Sequence, residues 1–355
     1  MPSPIPSRLL PRDLYPAVEL GTCSSPLAQP GPGPAASPGP GATLQVPAQR
    51  FPGRASGRPW SSVIQWKQLR ALQPVGSGGF GSVYRAEYLG RTVALKNVKK
   101  CSKNALASRQ SFWAELNAAH LSHPNIVRVL AATTCVPADF GDEGSLGAVL
   151  MEFVGSSNLQ QVIYGSPEEL PPRRWLRYAA DIARGLDFLH AHRVLHLDVK
   201  PANVLLSARD ACKLVDFGCS VKLEPGRERA AIGAHLSHVC GTYTHRAPEL
   251  LRGDAVSSRA DVFSFGITLW QLATREPPYA GDRQRVLYAV VAQRLRPPLD
   301  RPAFGSERGR SCAALLRRCW SAEARDRPGA PELLALLERL RIRYLEQGPD
   351  DSGTL

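Results

Sequence analysis

The sequence predicts an α+β fold of two lobes, a small β-rich N-lobe with one main helix and a larger, mainly helical C-lobe. Three observations carry that reading. Short runs alternating apolar and polar residues, separated by tight-turn signals, gather between Leu69 and Val154. Helical periodicity takes over from Arg173 onward, and residues 259–274 are apolar on nearly every side.

Residues 1–58 are expected to stand outside that fold. The 355-residue chain holds 31 prolines and 30 glycines, and runs such as AQPGPGPAASPGPGA concentrate them here. A stretch with so little apolar periodicity cannot offset its chain entropy by burial. A disordered leader is therefore expected, either an inert spacer or a regulatory tail with Ser3, Ser25 and Ser37 open to modification. The folded domain is expected over residues 59–345, with lobes at about 59–152 and 155–345, and a disordered acidic tail over 346–355.

Within the domain, LRALQPVG, GSVYRAEY and RTVALKNV read as three strands joined by turns at SGGF and LG. A helix follows over about Asn104 to Leu121, with Leu106, Phe112, Leu116 and Ala119 on one face. NIVRVLAAT and GAVLMEFV read as two more strands. Further on, RRWLRYAADIARGLDFLHAH carries an apolar stripe, RADVFSFGITLWQLAT is a helix buried all round, and three more helices are expected before the tail. No internal repeat is present.

The charge balance is basic, with 44 Lys and Arg against 31 Asp and Glu and a formal net charge of +13. These cations are scattered, with no aromatic-interleaved stripe, which argues against direct nucleic-acid binding. The eight cysteines form no C-x-x-C pair, which disfavours zinc and disulfides and favours reduced thiols. Prolines interrupt the N-terminus before an apolar signal segment can form, and no apolar run spans a bilayer. The expectation is a soluble cytoplasmic monomer without membrane contact.

The loop GSGGFGSV places Gly76, Gly78 and Gly81 in G-x-G-x-x-G spacing, where backbone amides can approach phosphates closely. The same spacing marks dinucleotide sites, but those open directly into a helix, whereas SVYRAEY continues as a strand. A Walker A loop is excluded, since no Gly-Lys-Ser/Thr follows. An ordinary glycine-rich hairpin remains open until Lys96 is counted. That lysine lies inside the apolar strand VALK, where burial is costly unless it meets an anion. Two partners are open to it: a nucleotide phosphate, and the carboxylate of Glu115 on the following helix.

The strongest signal is VLHLDVKPANVLL followed closely by CKLVDFGCS. Phosphoryl transfer needs little covalent help from protein; it needs neutralised phosphates, a held metal and an aligned hydroxyl. Asp198 is suited to accept the proton of an attacking hydroxyl, and Lys200 to bring positive charge to the phosphoryl group. Asn203 and Asp216 offer the hard oxygen ligands that Mg²⁺ prefers. Each has a bland reading alone, but four within nineteen positions between apolar strands do not. Farther on, Glu249 is placed to pair with Arg327, and Asp261 to cap its helix and accept amides from the catalytic loop; all three are expected to be scaffold.

Taken together, motif by motif and in order, these residues resemble the eukaryotic protein kinase family from about Leu69 to Leu345. The resemblance implies the bilobal kinase fold, ATP with Mg²⁺ in the interlobe cleft, and transfer to a protein substrate. Gly76, Ser77, Gly78, Gly79, Phe80, Gly81 and Val83 would cover the nucleotide. Adenine would sit between Ala94 and the hinge residues Met151, Glu152 and Val154, with Met151 controlling the back pocket. Lys96 and Glu115 would form the ion pair, Asp198 and Lys200 the catalytic group, and Asn203 and Asp216 the metal site. His196 and Phe217 would be packed spine residues, not general bases.

The D-x-K-x-x-N pattern at Lys200 implies a serine/threonine enzyme, and Thr242 would bond to Asp198 and Lys200. A closer likeness within the family implies a MAP kinase kinase kinase whose substrate is a MAP kinase kinase, acting in oocyte meiotic maturation and metaphase II arrest. Another serine/threonine kinase of the Raf or mixed-lineage type is the alternative, and behind it a pseudokinase scaffold. Two departures stand out. Leu197 occupies the usual arginine position of His-Arg-Asp, so the chain is expected to act without activation-loop phosphate. His245 replaces an aromatic residue in the substrate-facing loop.

Overall fold

The computed structural model describes residues 63–78, 81–99, 105–140, 145–165, 169–232 and 243–346. The expected leader, tail residues 347–355, Gly79, Phe80 and Thr242 all lie outside the described residues.

Alternation in the N-terminal part resolves into one antiparallel sheet. It comprises β1 (Leu69–Gly78), β2 (Gly81–Tyr88), β3 (Arg91–Lys99), β4 (Val129–Thr133) and β5 (Ser145–Glu152), in the order β1-β2-β3-β5-β4. Register decides what each face carries, because side chains alternate along a strand. Val83 pairs with Lys96, Lys96 with Val149, and Ala94 with Met151, so these residues share one face. The opposite face carries Val93, Leu95, Ala148 and Leu150, packed with Ile64 and Leu69 in a separate cluster.

Helix α1 (Ala105–Glu115) and a 3-10 turn at Leu116–Ala118 occupy the expected helical stretch. Phe112 and Ala119 are buried with Val149 and Met151 as expected. Leu106 departs from expectation: it is 54% exposed, on the outward side with Trp113. A residue one position from the helix start has no preceding turn to hold it against the sheet.

The C-terminal part contains α2 (Leu159–Gly165), α3 (Pro172–Ala191), α4 (Pro248–Arg252), α5 (Arg259–Thr274), α6 (Arg283–Ala292), α7 (Glu307–Cys319) and α8 (Ala330–Glu346). Short antiparallel pairs join β6 (Val194–Leu195) to β9 (Val221–Lys222) and β7 (Val204–Leu206) to β8 (Cys212–Leu214). Helix α5 is buried along almost its whole length, as its apolar circumference predicts. Trp270, Phe263 and Phe265 fill the centre of the largest core cluster.

Two buried ionic devices brace this part. Arg327 donates to Glu249 through both terminal nitrogens, at 2.6 and 2.9 Å, tying α4 to the segment before α8. Asp261 corrects half of its expected role. No side chain caps α5 at Ser258; the Asp261 carboxylate instead accepts from the amides of His196 and Leu197 and bonds His190. A carboxylate in the first turn cannot cap the helix while it serves a neighbouring loop. Among the described residues, no helix is long and apolar enough to cross a membrane.

Candidate active site

Between the sheet and the helical part lies a cleft of about 520 Å³. The two-lobe fold brings most of the expected residues to it. From above come Gly76, Ser77, Gly81 and Val83 of β1 and β2, with Ala94 and Lys96 of β3; Glu115 lies behind. The end of β5 supplies Met151 and Glu152 and the connection after it Val154, and from below come Lys200, Asn203 and Asp216.

The glycine strand shows two different requirements. At Gly76 an added Cβ would meet nothing within 4 Å. At Gly81, with φ +151°, it would lie 1.9 Å from the Asn97 carbonyl oxygen. Gly81 is thus demanded by close approach of β2 to β3, and only an absent side chain lets the hairpin close.

Lys96 is buried and bonded to two carboxylates, Glu115 and Asp216, the latter at 2.7 Å. Glu115 also accepts from the Phe217 amide at 3.2 Å, so α1 is pinned to the segment that carries Asp216. Burial acts to lower the Lys96 ammonium, but Asp216 and Glu115 overcome it and hold it well above the usual lysine range. Burial raises the Glu115 carboxyl against the pull of Lys96. For Asp216 the order reverses: burial is outweighed by Lys96, and the carboxyl is held far below its ordinary value. Of the two carboxyls, Asp216 is therefore the firmly ionised one.

Below, the loop after β6 folds onto itself. Lys200 Nζ donates to Asp198 Oδ2 at 2.8 Å, and Asn203 Nδ2 donates to the same oxygen at 2.8 Å and to the Asp198 carbonyl at 3.0 Å. Two bonds to its neighbours fix the Asp198 carboxylate, and they leave the Asn203 amide oxygen unused by that pairing. His196 is fully buried; its Nδ1 accepts from the Asp198 amide at 3.2 Å and its Nε2 meets the Val215 carbonyl at 3.2 Å. Both ring nitrogens serve backbone, and the ring lies 4.8 Å from that of Phe217, as a packed core histidine would. Leu197 is 4% exposed with φ +62°, turned into the core. Asp216 also takes positive φ, +66°.

The connection after β5 is prepared for a polar planar ligand. The Glu152 side chain faces away, paired with Lys213 at 2.7 Å and accepting from the Arg128 amide at 2.9 Å. The Val154 amide donates to no backbone carbonyl among the described residues.

Sequence reasoning missed the apolar walls, Val127, Leu205 and Val215, and the polar rim residues Asn158 and Gln161. The walls carry no signal beyond ordinary strand residues. The rim does: Asn158 Oδ1 accepts from the Gln161 amide at 3.0 Å while Gln161 Oε1 accepts from the Asn158 amide at 2.9 Å. That reciprocal capping box starts α2, and its N-x-x-Q spacing is visible in the sequence.

His245 is buried within a directed chain of hydrogen bonds. Thr244 Oγ1 lies 2.9 Å from His245 Nδ1, and His245 Nε2 lies 2.6 Å from Gln271 Oε1. Gln271 Nε2 then donates to Tyr164 Oη at 2.6 Å, and Tyr164 Oη donates to the Glu276 carbonyl at 3.1 Å. Burial, reinforced by Lys200 and opposed by Gln271, lowers the imidazole to about 4, so it is neutral at neutral pH.

The family model for the protein kinase domain matches residues 69–336. The chain is 52% identical over 355 residues to the serine/threonine-protein kinase mos of Xenopus laevis, covering 96% of this chain and 93% of that one. It is 48% identical over 361 residues to the protein of that name from Gallus gallus, covering 96% and 99%. The proto-oncogene serine/threonine-protein kinase mos of Sus scrofa is 49% identical over 356 residues, again covering 96% and 99%.

Proposed function

Because the chain belongs to the protein kinase family and is a serine/threonine protein kinase, we propose that it transfers the γ-phosphate of ATP to protein hydroxyls in this cleft. One observation carries the assignment of roles: Lys96, Asp216, Asn203 and Lys200 line the same hollow, with Asp198 bonded to the last two.

The residues fit ATP and a divalent cation. The Val154 amide and the carbonyls beside it suit the adenine edge, while Ala94 and the walls Val83 and Leu205 suit its faces. Lys96, kept charged by its two carboxylates, reaches toward the phosphates, and the bond to Glu115 holds it there. Asp216, held ionised, and the Asn203 oxygen are hard ligands of the kind Mg²⁺ takes. Held by these oxygens, Mg²⁺ would supply positive charge to neutralise the phosphates. Asp198 orients the incoming hydroxyl and accepts its proton, and Lys200 stabilises the charge carried between donor and acceptor.

The finer reading is that this is a MAP kinase kinase kinase. Its protein substrate is a MAP kinase kinase, and its setting is oocyte meiotic maturation and metaphase II arrest. That reading rests on the likeness to this group of serine/threonine kinases rather than on cleft geometry.

The test is transfer from labelled ATP by wild type, Lys96→Arg and Asp198→Asn, with kinase-dead MAP kinase kinase as acceptor. The variants are expected to lose at least about 100-fold in rate. Undiminished labelling by Asp198→Asn would overturn the roles; labelling of a general acceptor but not of MAP kinase kinase would overturn the substrate alone.

A further inference from the structure

A second cavity, of about 470 Å³, lies between the end of α3, β6, the segment after β9 and the start of α5. Its lining is strongly cationic. Arg193, Arg227, Arg229, Arg259 and Arg325 all contribute, and Glu228 is the one carboxylate among the lining residues. Neither Leu197 nor Asp198 belongs to it, so it is separate from the catalytic loop's own charged face.

The segment presenting these arginines is held firmly. Arg193 donates to the carbonyls of Glu224 and, at 2.9 Å, Arg227. The Arg227 amide closes the intervening turn onto the Glu224 carbonyl at 3.0 Å, with Gly226 at φ +78° supplying the left-handed position. Three residues beyond Arg227, Ala230 and Val256 exchange backbone bonds, both 2.9 Å, which fixes the chain against the approach to α5.

Charge is left over. None of the ion pairs between described residues involves Arg227, Arg229 or Arg259. Arg259 Nη1 is buried without a hydrogen-bond partner among the described residues. The lining also includes Ser257 and Ser258, at the N-terminus of the 16-residue α5, where Ser258 makes no capping bond and Ser257 Oγ accepts from the Arg259 amide at 3.4 Å. Guanidinium groups sharing one hollow repel each other, and an anion that accepts from several of them at once relieves that repulsion.

We propose that this cavity binds the phosphate dianion of a phosphorylated serine or threonine on a protein segment. A tetrahedral dianion presents enough acceptors for several guanidinium forks, which a single carboxylate does not. The volume exceeds what a bare phosphate fills, and it leaves room for the residue that carries it. Arg227, Arg229 and Arg325 are exposed and lie at the mouth, where such a segment enters.

Fluorescence anisotropy of the full chain with a labelled Gly-Ala-phosphoserine-Ala-Gly peptide, without ATP, tests this independently of phosphotransfer. The phosphopeptide is expected to bind at least about tenfold tighter than its unphosphorylated twin and to be displaced by inorganic phosphate. Arg227→Ala combined with Arg229→Ala, and separately Arg325→Ala, should weaken it by about tenfold per arginine. Labelled-ATP transfer by these variants should stay at the wild-type rate, which reports an intact fold. Equal binding of both peptides, or binding untouched by the arginine variants, overturns the proposal. So does binding only to phosphoinositide-doped phosphatidylcholine vesicles, or only to inorganic phosphate.

Discussion

The amide of Leu197 donates to Asp261 Oδ1 at 2.7 Å, and through the other oxygen of that carboxylate the His196 amide is held at 3.0 Å. The loop that carries Asp198 thus hangs from α5, which is buried along almost its whole length. The strained φ of +62° at Leu197 is sustained by this attachment rather than by local preference. Burial acts to raise the Asp261 carboxyl, but His190 and the neighbouring amide keep it below its ordinary value, so it is ionised at neutral pH. Asp261→Ala should leave two buried amides without acceptors and cost about 2–5 kcal/mol in urea unfolding. Asp261→Asn, which retains one acceptor oxygen, should cost less. Equal stability of the alanine variant and wild type would refute the attachment.

Lys96 lies between two carboxylates, and its removal leaves them facing each other in a buried site. Lys96→Met should destabilise the fold by about 3 kcal/mol, because the partners stay buried and uncompensated. Adding Glu115→Gln to that background should restore at least about 1 kcal/mol, since Glu115 is the carboxyl that burial already disfavours as an anion. Guanidinium unfolding of the four members of the cycle measures the coupling. Strict additivity would mean that Lys96 and Glu115 do not interact.

Much of this site was legible in the sequence. Lys96 stood out because an apolar strand gives an ammonium no reason to be there, and Asp198, Asn203 and Asp216 because polar residues recur at short spacing between apolar strands. Helix α5 was legible to its ends, because an all-apolar circumference admits no other solution. Helix α2 was not, since seven residues are too few for a period to show against a wall of ordinary strand residues. Leu106 was misread because periodicity reports a face without saying where the neighbouring sheet stops. Nor does spacing along the chain show that Arg193, Arg259 and Arg325 meet: their proximity is set by how α3, α5 and the segment before α8 pack.

Leu197 has a consequence for control. A buried leucine, 4% exposed, offers nothing to a phosphate on the neighbouring loop. Purified protein stripped of phosphate should therefore transfer label from ATP at a rate within about twofold of the untreated protein, and control would rest on abundance or on the N-terminal segment. A fall of about 100-fold or more on phosphatase treatment would show that another group takes over the missing arginine's task.

His245 makes stability depend on pH in a definite direction. Its folded value is about 4, against an ordinary 6.5, because charging it would place a cation in a buried site and break the acceptor bond its Nδ1 makes. Between those limits the unfolded chain binds more protons than the folded one, so stability is fully present above about pH 6.5 and is lost as pH falls toward 4. The contribution of this one group is about 3 kcal/mol over the window. His123, also lowered, chiefly by partial burial, pulls in the same direction. A variant that removes only His245 is therefore needed to separate the two. His245→Gln keeps a side chain able to bond Gln271 but cannot titrate, so its urea midpoint should fall less between pH 7 and pH 4.5 than that of wild type. Parallel pH profiles for the two proteins would show that the buried imidazole gains a proton in the folded state without cost, and the neutral hydrogen-bonded chain from Thr244 to Glu276 would have to be abandoned.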